Sequence, residues 1–107
     1  MVEAGDADFA EIADQASMYV LVDLWAPWCG PCRQVSPALE EVAAEQAGHL
    51  KLVKVNVDAA RGVAERFDAY SIPTLVLLKS GREASRQVGA LPKRALREWV
   101  ANATASQ

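Results

Sequence analysis

With 107 residues and a net charge of −3, the chain is long enough to bury one core but not two, and one domain over residues 1–107 is the expected organisation. Its basic residues are scattered, which excludes the charge footprint of a nucleic-acid binder, and no apolar run approaches the roughly 20 residues that span a bilayer. Met1 to Phe9 is acidic and lacks the basic start and apolar stretch of a secretory leader, so the cytoplasm is the expected compartment.

In chain order, Met1 to Gly5 carries no convincing strand pattern. Ala7 to Gln15, with Phe9, Ile12 and Ala13 apolar, predicts a short amphipathic helix. Tyr19 to Trp25 (YVLVDLW) is a β-rich apolar run of strand length, interrupted by Asp23. An acid inside such a run either points to water from an edge strand or is buried with a partner or a function. On the residues alone both readings of Asp23 stand.

Trp28-Cys29-Gly30-Pro31-Cys32 follows, placing the only two cysteines two residues apart at the start of a predicted helix. Thiols at that spacing can close and reopen a small disulfide ring. A helix N-terminus favours negative charge on the first sulfur, and the thiolate is the form that attacks disulfides. Structural zinc needs four ligands, whereas here there is one cysteine pair and a solitary His49. A purely structural disulfide is a poor fit because so short a loop removes little unfolded-chain entropy. Gly30 permits close backbone approach, and Pro31 suits a first helical turn that has no donor to lose. The segment reads as a redox site. Cys29, nearest the helix N-terminus, is expected to be exposed and ionised, and Cys32, one turn in, buried and protonated.

The helix is predicted over Cys29 to Gln46, with Val35, Leu39, Val42 and Ala43 as its apolar stripe, a kink at Pro37 and a stop at Gly48. Leu50 to Val57 alternates as a strand, and Gly62 to Phe67 predicts a helix of one to two turns. Thr74 to Leu78 and Glu83 to Val88 are strands joined through Ser80-Gly81, an antiparallel hairpin. Pro92 to Ala103 closes the chain as a helix with Leu96, Trp99 and Val100 on one face. Strand, helix, strand implies a right-handed parallel crossover. The fold class is α/β, a mixed central sheet with helices on both faces.

Several blocks together resemble one family. Val22 to Cys32 (VDLWAPWCGPC) is similar to the active-site signature of the thioredoxin family in its bacterial type. Lys54 to Asp58 is similar to that family's second central strand, Ser71-Ile72-Pro73-Thr74 to its cis-proline loop, and Val88-Gly89-Ala90-Leu91 to its last substrate-facing loop. The resemblance covers residues 9 to 104 without gaps and implies the thioredoxin fold, with four strands or a weak fifth at the N-terminus. It implies a general protein disulfide reductant in which Cys29 attacks and Cys32 resolves. Asp23 matches the family's buried aspartate, a proton acceptor for Cys32, and Lys54 the lysine that tunes it. The resemblance makes the Ile72–Pro73 bond cis, with Ile72 offering its backbone to an extended target segment. Gly89 and Ala90 are small enough to leave room for that segment, and Trp28, Gly30 and Pro31 complete the contact surface. Trp25 and Trp99 read as packing residues, and Arg33 as a cation near the thiolate or simply a solvated side chain.

No bound cofactor or metal is implied beyond the redox-active Cys29–Cys32 disulfide. The expected partners are an NADPH-dependent flavoprotein, thioredoxin reductase, and disulfide-containing target proteins, with the chain itself a monomer and neither nucleic acid nor membrane involved. An oxidase or isomerase is the alternative redox reading. Gly-Pro between the cysteines argues against it, because oxidising members carry a histidine there that favours the reduced state. A non-catalytic binding subunit using the same surface is the reading from another class.

Overall fold

The computed structural model describes residues 1–105, so the last two residues of the expected 1–107 domain lie outside the described residues. Five strands form one mixed sheet: β1 (Val2–Glu3), β2 (Tyr19–Trp25), β3 (Leu50–Asn56), β4 (Thr74–Lys79) and β5 (Arg82–Val88). Their order across the sheet is β1-β3-β2-β4-β5. The helices are α1 (Gly30–Glu45), α2 (Arg61–Arg66) and α3 (Lys93–Ala105). β2 and β3 run parallel, as the α1 crossover requires, and β4 returns antiparallel to β2.

The alternation of side chains divides the apolar residues between the two faces. Val20, Val22 and Leu24 of β2 join Val53, Val55, Val76 and Leu78 in a layer closed by Phe9, Ala13, Val63 and Phe67. Leu21 joins Leu50, Leu52, Leu75 and Leu77 on the other face, under Val35, Leu39 and Val42 of α1 and Leu96 and Val100 of α3. Asp23 shares the parity of Leu21 and Lys54 that of Leu52, so both belong to the α1 face, and they are register partners across β2 and β3. α1 continues through Pro37 to Glu45, and Gly48 adopts a positive φ of 89° in the turn into β3. Ser80 and Gly81 both have positive φ (52° and 77°), the conformation that joins two antiparallel strands through a two-residue turn.

The short fifth strand that the resemblance allowed at the N-terminus is present: Val2 and Glu3 pair in parallel with Val53 and Lys54. One expectation changes. The helix expected over Ala7 to Gln15 shrinks to a single π-wound turn at Ala10–Asp14, closed by Gln15 N–H donating to Ala10 O at 3.0 Å. The preceding residues are diverted to other work, because the Asp6 carboxylate accepts from the N–H groups of Gly62 (3.1 Å) and Val63 (2.8 Å) in the first turn of α2. Arg66 then ties this region together. It forms a two-pronged ion pair with Asp14 (2.7 and 3.0 Å), donates to Gly81 O, and lies over the rings of Phe9 and Phe67.

Since α3 holds to the sheet through few fully buried side chains, Leu96→Ala is expected to cost about 2–5 kcal/mol, the range for leucine deletion in a core. Urea unfolding should show the midpoint falling with its slope unchanged.

Candidate active site

β2 ends at Trp25, and the next four residues bring the chain to the start of α1, so the sheet delivers the cysteines to a helix N-terminus. Cys29 is the N-cap, in extended conformation (φ −88°, ψ 110°), with Gly30 and Pro31 occupying the first two helical positions. Cys29 and Cys32 are joined as a disulfide. The Cys32 N–H, unpaired in a bare helix, points at Cys29 Sγ from 3.2 Å. When the bond is reduced, that donor and the helix dipole favour negative charge on Cys29 Sγ.

The exposure expected for Cys29 is corrected. It is only 5% exposed and Cys32 1%, because Ala26, Trp25, Val57 and Ile72 pack around the pair. Ile72 O lies 3.8 Å from Cys29 Sγ. The Ile72–Pro73 peptide is cis, Pro73 is buried, and Pro73 O accepts from Gly89 N–H at 2.8 Å. That bond brings the Gly89–Ala90 loop beside the proline loop. Gly89 has φ 95° and open space where a Cβ would stand.

Trp28 is 69% exposed, and its indole Nε1–H donates to Asp58 Oδ2 at 2.8 Å. Asp58 is a site residue that sequence reasoning missed. Its available signal was the Asn-Val-Asp sequence at the end of β3, where Asn56 Oδ1 accepts the Asp58 N–H at 3.0 Å and turns the chain. Trp99 donates to Ser85 Oγ at 2.8 Å, bridging α3 and β5 away from the pair. Arg33 is solvent-exposed. Among the described residues no group of three or more His, Cys, Asp or Glu could hold a metal ion.

Asp23 settles between its two sequence readings in favour of burial. It lies on a central strand, is 0% exposed, and neither carboxyl oxygen has a hydrogen-bond partner among the described residues. Burial pushes its pKa from 3.8 up to about 6, with the Lys54 charge pulling part of the way back. Lys54 does not ion-pair with it. Its ammonium donates instead to Ser36 Oγ at 2.8 Å and stands 4.8 Å from the centre of the Trp25 ring.

The thioredoxin family model matches residues 1–102. The chain is 44% identical to the thioredoxin of Haemophilus influenzae over 100 residues, 94% of each chain. It is also 44% identical to the thioredoxin of Bacillus subtilis over 100 residues, again 94% of each. With thioredoxin 1 of Synechococcus elongatus it shares 46% over 91 residues, 85% of each.

The Asp23 carboxyl gives stability a pH dependence of definite sign. Between its ordinary 3.8 and about 6 the folded chain holds a proton that the unfolded chain has lost, so stability falls as pH rises through that window. Above it the full penalty applies, about 3 kcal/mol at 1.36 kcal/mol per pH unit. Asp23→Asn, which cannot ionise, is expected to be the more stable protein at pH 8 by about 2–3 kcal/mol, with the difference shrinking toward pH 4. Urea midpoints of both proteins at the two pH values check this. A gain that is the same at both would trace to packing rather than charge.

Proposed function

The chain belongs to the thioredoxin family of thiol–disulfide oxidoreductases, and on that premise we propose how its residues divide the work of reducing protein disulfides. The Cys29 thiolate attacks one sulfur of a target disulfide. A Cys29–target bond forms, the target's own S–S bond breaks, and the electron pair leaves on its other sulfur, which takes up a proton. Cys32 then gives its proton to the Asp23 carboxylate and attacks Cys29. The Cys29–Cys32 bond forms, the Cys29–target bond breaks, and the second target sulfur departs as a thiolate to be protonated. The target gains two electrons and two protons, and the dithiol becomes the disulfide.

The observation that carries this assignment is the Cys32 N–H aimed at Cys29 Sγ at the helix N-cap. It favours charge on Cys29 and leaves Cys32, which is 1% exposed, as the protonated partner that needs a base. Asp23 suits that part as the one fully buried carboxylate among the described residues, with its charge opposed by burial and moderated by Lys54. Target segments lie across Trp28, Gly30 and Pro31 on one side and Ile72, Pro73, Gly89 and Ala90 on the other. The exposed indole and the small residues of the last loop leave an extended backbone space to bind.

The cycle needs a donor of two electrons, which we assign to an NADPH-dependent flavoprotein reductase, and it needs no cofactor held by the chain itself. We place the chain in the cytoplasm, where glutathione keeps most thiols reduced and a cysteine pair serves exchange rather than structure. It works as one domain over residues 1–107, as a monomer. No helix among the described residues is long and apolar enough to cross a membrane.

Cys32→Ser is expected to accumulate covalent adducts with a disulfide-bonded substrate, reversible by dithiothreitol, while Cys29→Ser accumulates none. Non-reducing electrophoresis reads both. Equal adduct yields would overturn the order of attack.

A further inference from the structure

Ser36 lies in the middle of α1, where a serine hydroxyl commonly bonds back to the carbonyl four residues earlier. Here it does something else. Ser36 Oγ donates to Glu40 Oε2 at 3.3 Å and accepts from Lys54 Nζ at 2.8 Å, using one hydroxyl in both of its roles. The donation to a carboxylate leaves the oxygen lone pairs for the ammonium. On its other side Lys54 stands over the Trp25 ring. The ammonium is therefore held between helix and strand, next to Asp23 in the register yet with no direct bond to it.

We propose that Ser36 is a positioning residue for disulfide exchange: it fixes the Lys54 ammonium against the α1 face of the sheet and so sets how readily the Asp23 carboxylate takes and returns the Cys32 proton. The proposal rests on the reading of Asp23 as the base for Cys32. A lysine side chain loses rotamer freedom when it is held and its ammonium is strongly hydrated, so without an anchor its charge moves to water. Lys54 is only half-buried, and that exit is open to it. An ammonium in water is screened from a carboxylate inside the protein, whereas one held at the helix–sheet seam acts through a less polar medium.

The other charged groups around this seam are few. Glu3 of β1 is the register partner of Lys54 on its far side and is exposed. Glu40 of α1 touches the seam through Ser36, and Cys29 and Cys32 stand at the start of the same helix. From β4, the register partner of Asp23 is Leu75, which carries no charge. Among the described residues Lys54 is thus the one cation that these neighbouring elements direct toward Asp23, and Ser36 is its only side-chain hydrogen-bond acceptor.

The test reads Asp23 directly, by titrating its carboxyl 13C shift in the oxidised full-length protein. Ser36→Ala, which introduces the best helix former, is expected to raise the Asp23 midpoint by about half a pH unit. Ser36→Thr, which keeps the hydroxyl, should return it to the parent value. In a Lys54→Met background, Ser36→Ala should move nothing, because the effect runs through the ammonium. A midpoint unchanged in Ser36→Ala, one that falls, or a shift that persists without Lys54 overturns the proposal. The pH profile of exchange with a peptide disulfide tests the underlying reading separately. If Asp23→Asn leaves that profile unchanged, Asp23 is not the base, and the role of Ser36 in exchange falls with it whatever the titration shows.

Discussion

A carboxylate buried without a hydrogen bond under the helix that carries the two sulfurs is the constraint to which much of this molecule answers. On the α1 face of β2 the alternation that places Leu21 in the core places Asp23 there too, with Leu75 beside it on β4. A leucine at position 23 would continue the core. The carboxylate instead keeps a free pair of oxygens in a place where ionisation is opposed. A direct ion pair with Lys54 would relieve that opposition, but it would also pull the carboxyl's proton affinity back toward that of an exposed acid. A proton acceptor has to remain poised near working pH. The structure holds Lys54 close and bonds it elsewhere, which leaves Asp23 between those two limits.

The same crossover organises the sulfurs. A parallel β2–α1–β3 unit brings the N-terminus of α1 over the C-terminal end of β2, so unpaired N–H groups meet the cysteines without any dedicated loop. Gly30 and Pro31 fill the first helical positions, and Cys29 caps the helix with its own sulfur. In the proposed division of work, anion stabilisation at Cys29 and proton removal at Cys32 therefore come from different elements, one helical and one in the sheet. The two layers of core residues hold them in fixed relation.

How much of this was legible in the sequence follows from the range of each interaction. β2, β3 and α1 declare themselves through local periodicity, and the cysteine pair through spacing alone. The burial of Asp23 was not decidable that way, because an acid in an apolar run reads the same on an edge strand and a central one. Resemblance to a family pointed to burial, and the sheet order settled it. The roles of Ser36 and Asp58 were not legible for a related reason: their partners, Lys54 and Trp28, lie 18 and 30 residues away in the chain. β1 showed no strand pattern of its own, because two residues cannot display a period, and only the resemblance allowed for a weak strand there. The first turn departed from its helical pattern because Asp6 serves as the cap of α2.

The recessed position of Cys29 bears on how targets are selected. A sulfur on a residue 5% exposed, with Ile72 O 3.8 Å away, cannot meet a disulfide lying flat in another protein's surface. The target has to bring its bond in on an extended, projecting segment. The surface proposed to meet that segment offers little side-chain discrimination: one indole held by Asp58, a glycine at φ 95° with open space above it, and the backbone around Pro73. Hydrogen bonds to an extended main chain are available to any sequence, whereas side-chain pockets are what confer specificity in strand addition. On that proposed surface, selection falls on whether a disulfide can be presented, which is the discrimination a general reductant needs. It would spare disulfides packed inside folded domains and admit those on mobile or protruding segments.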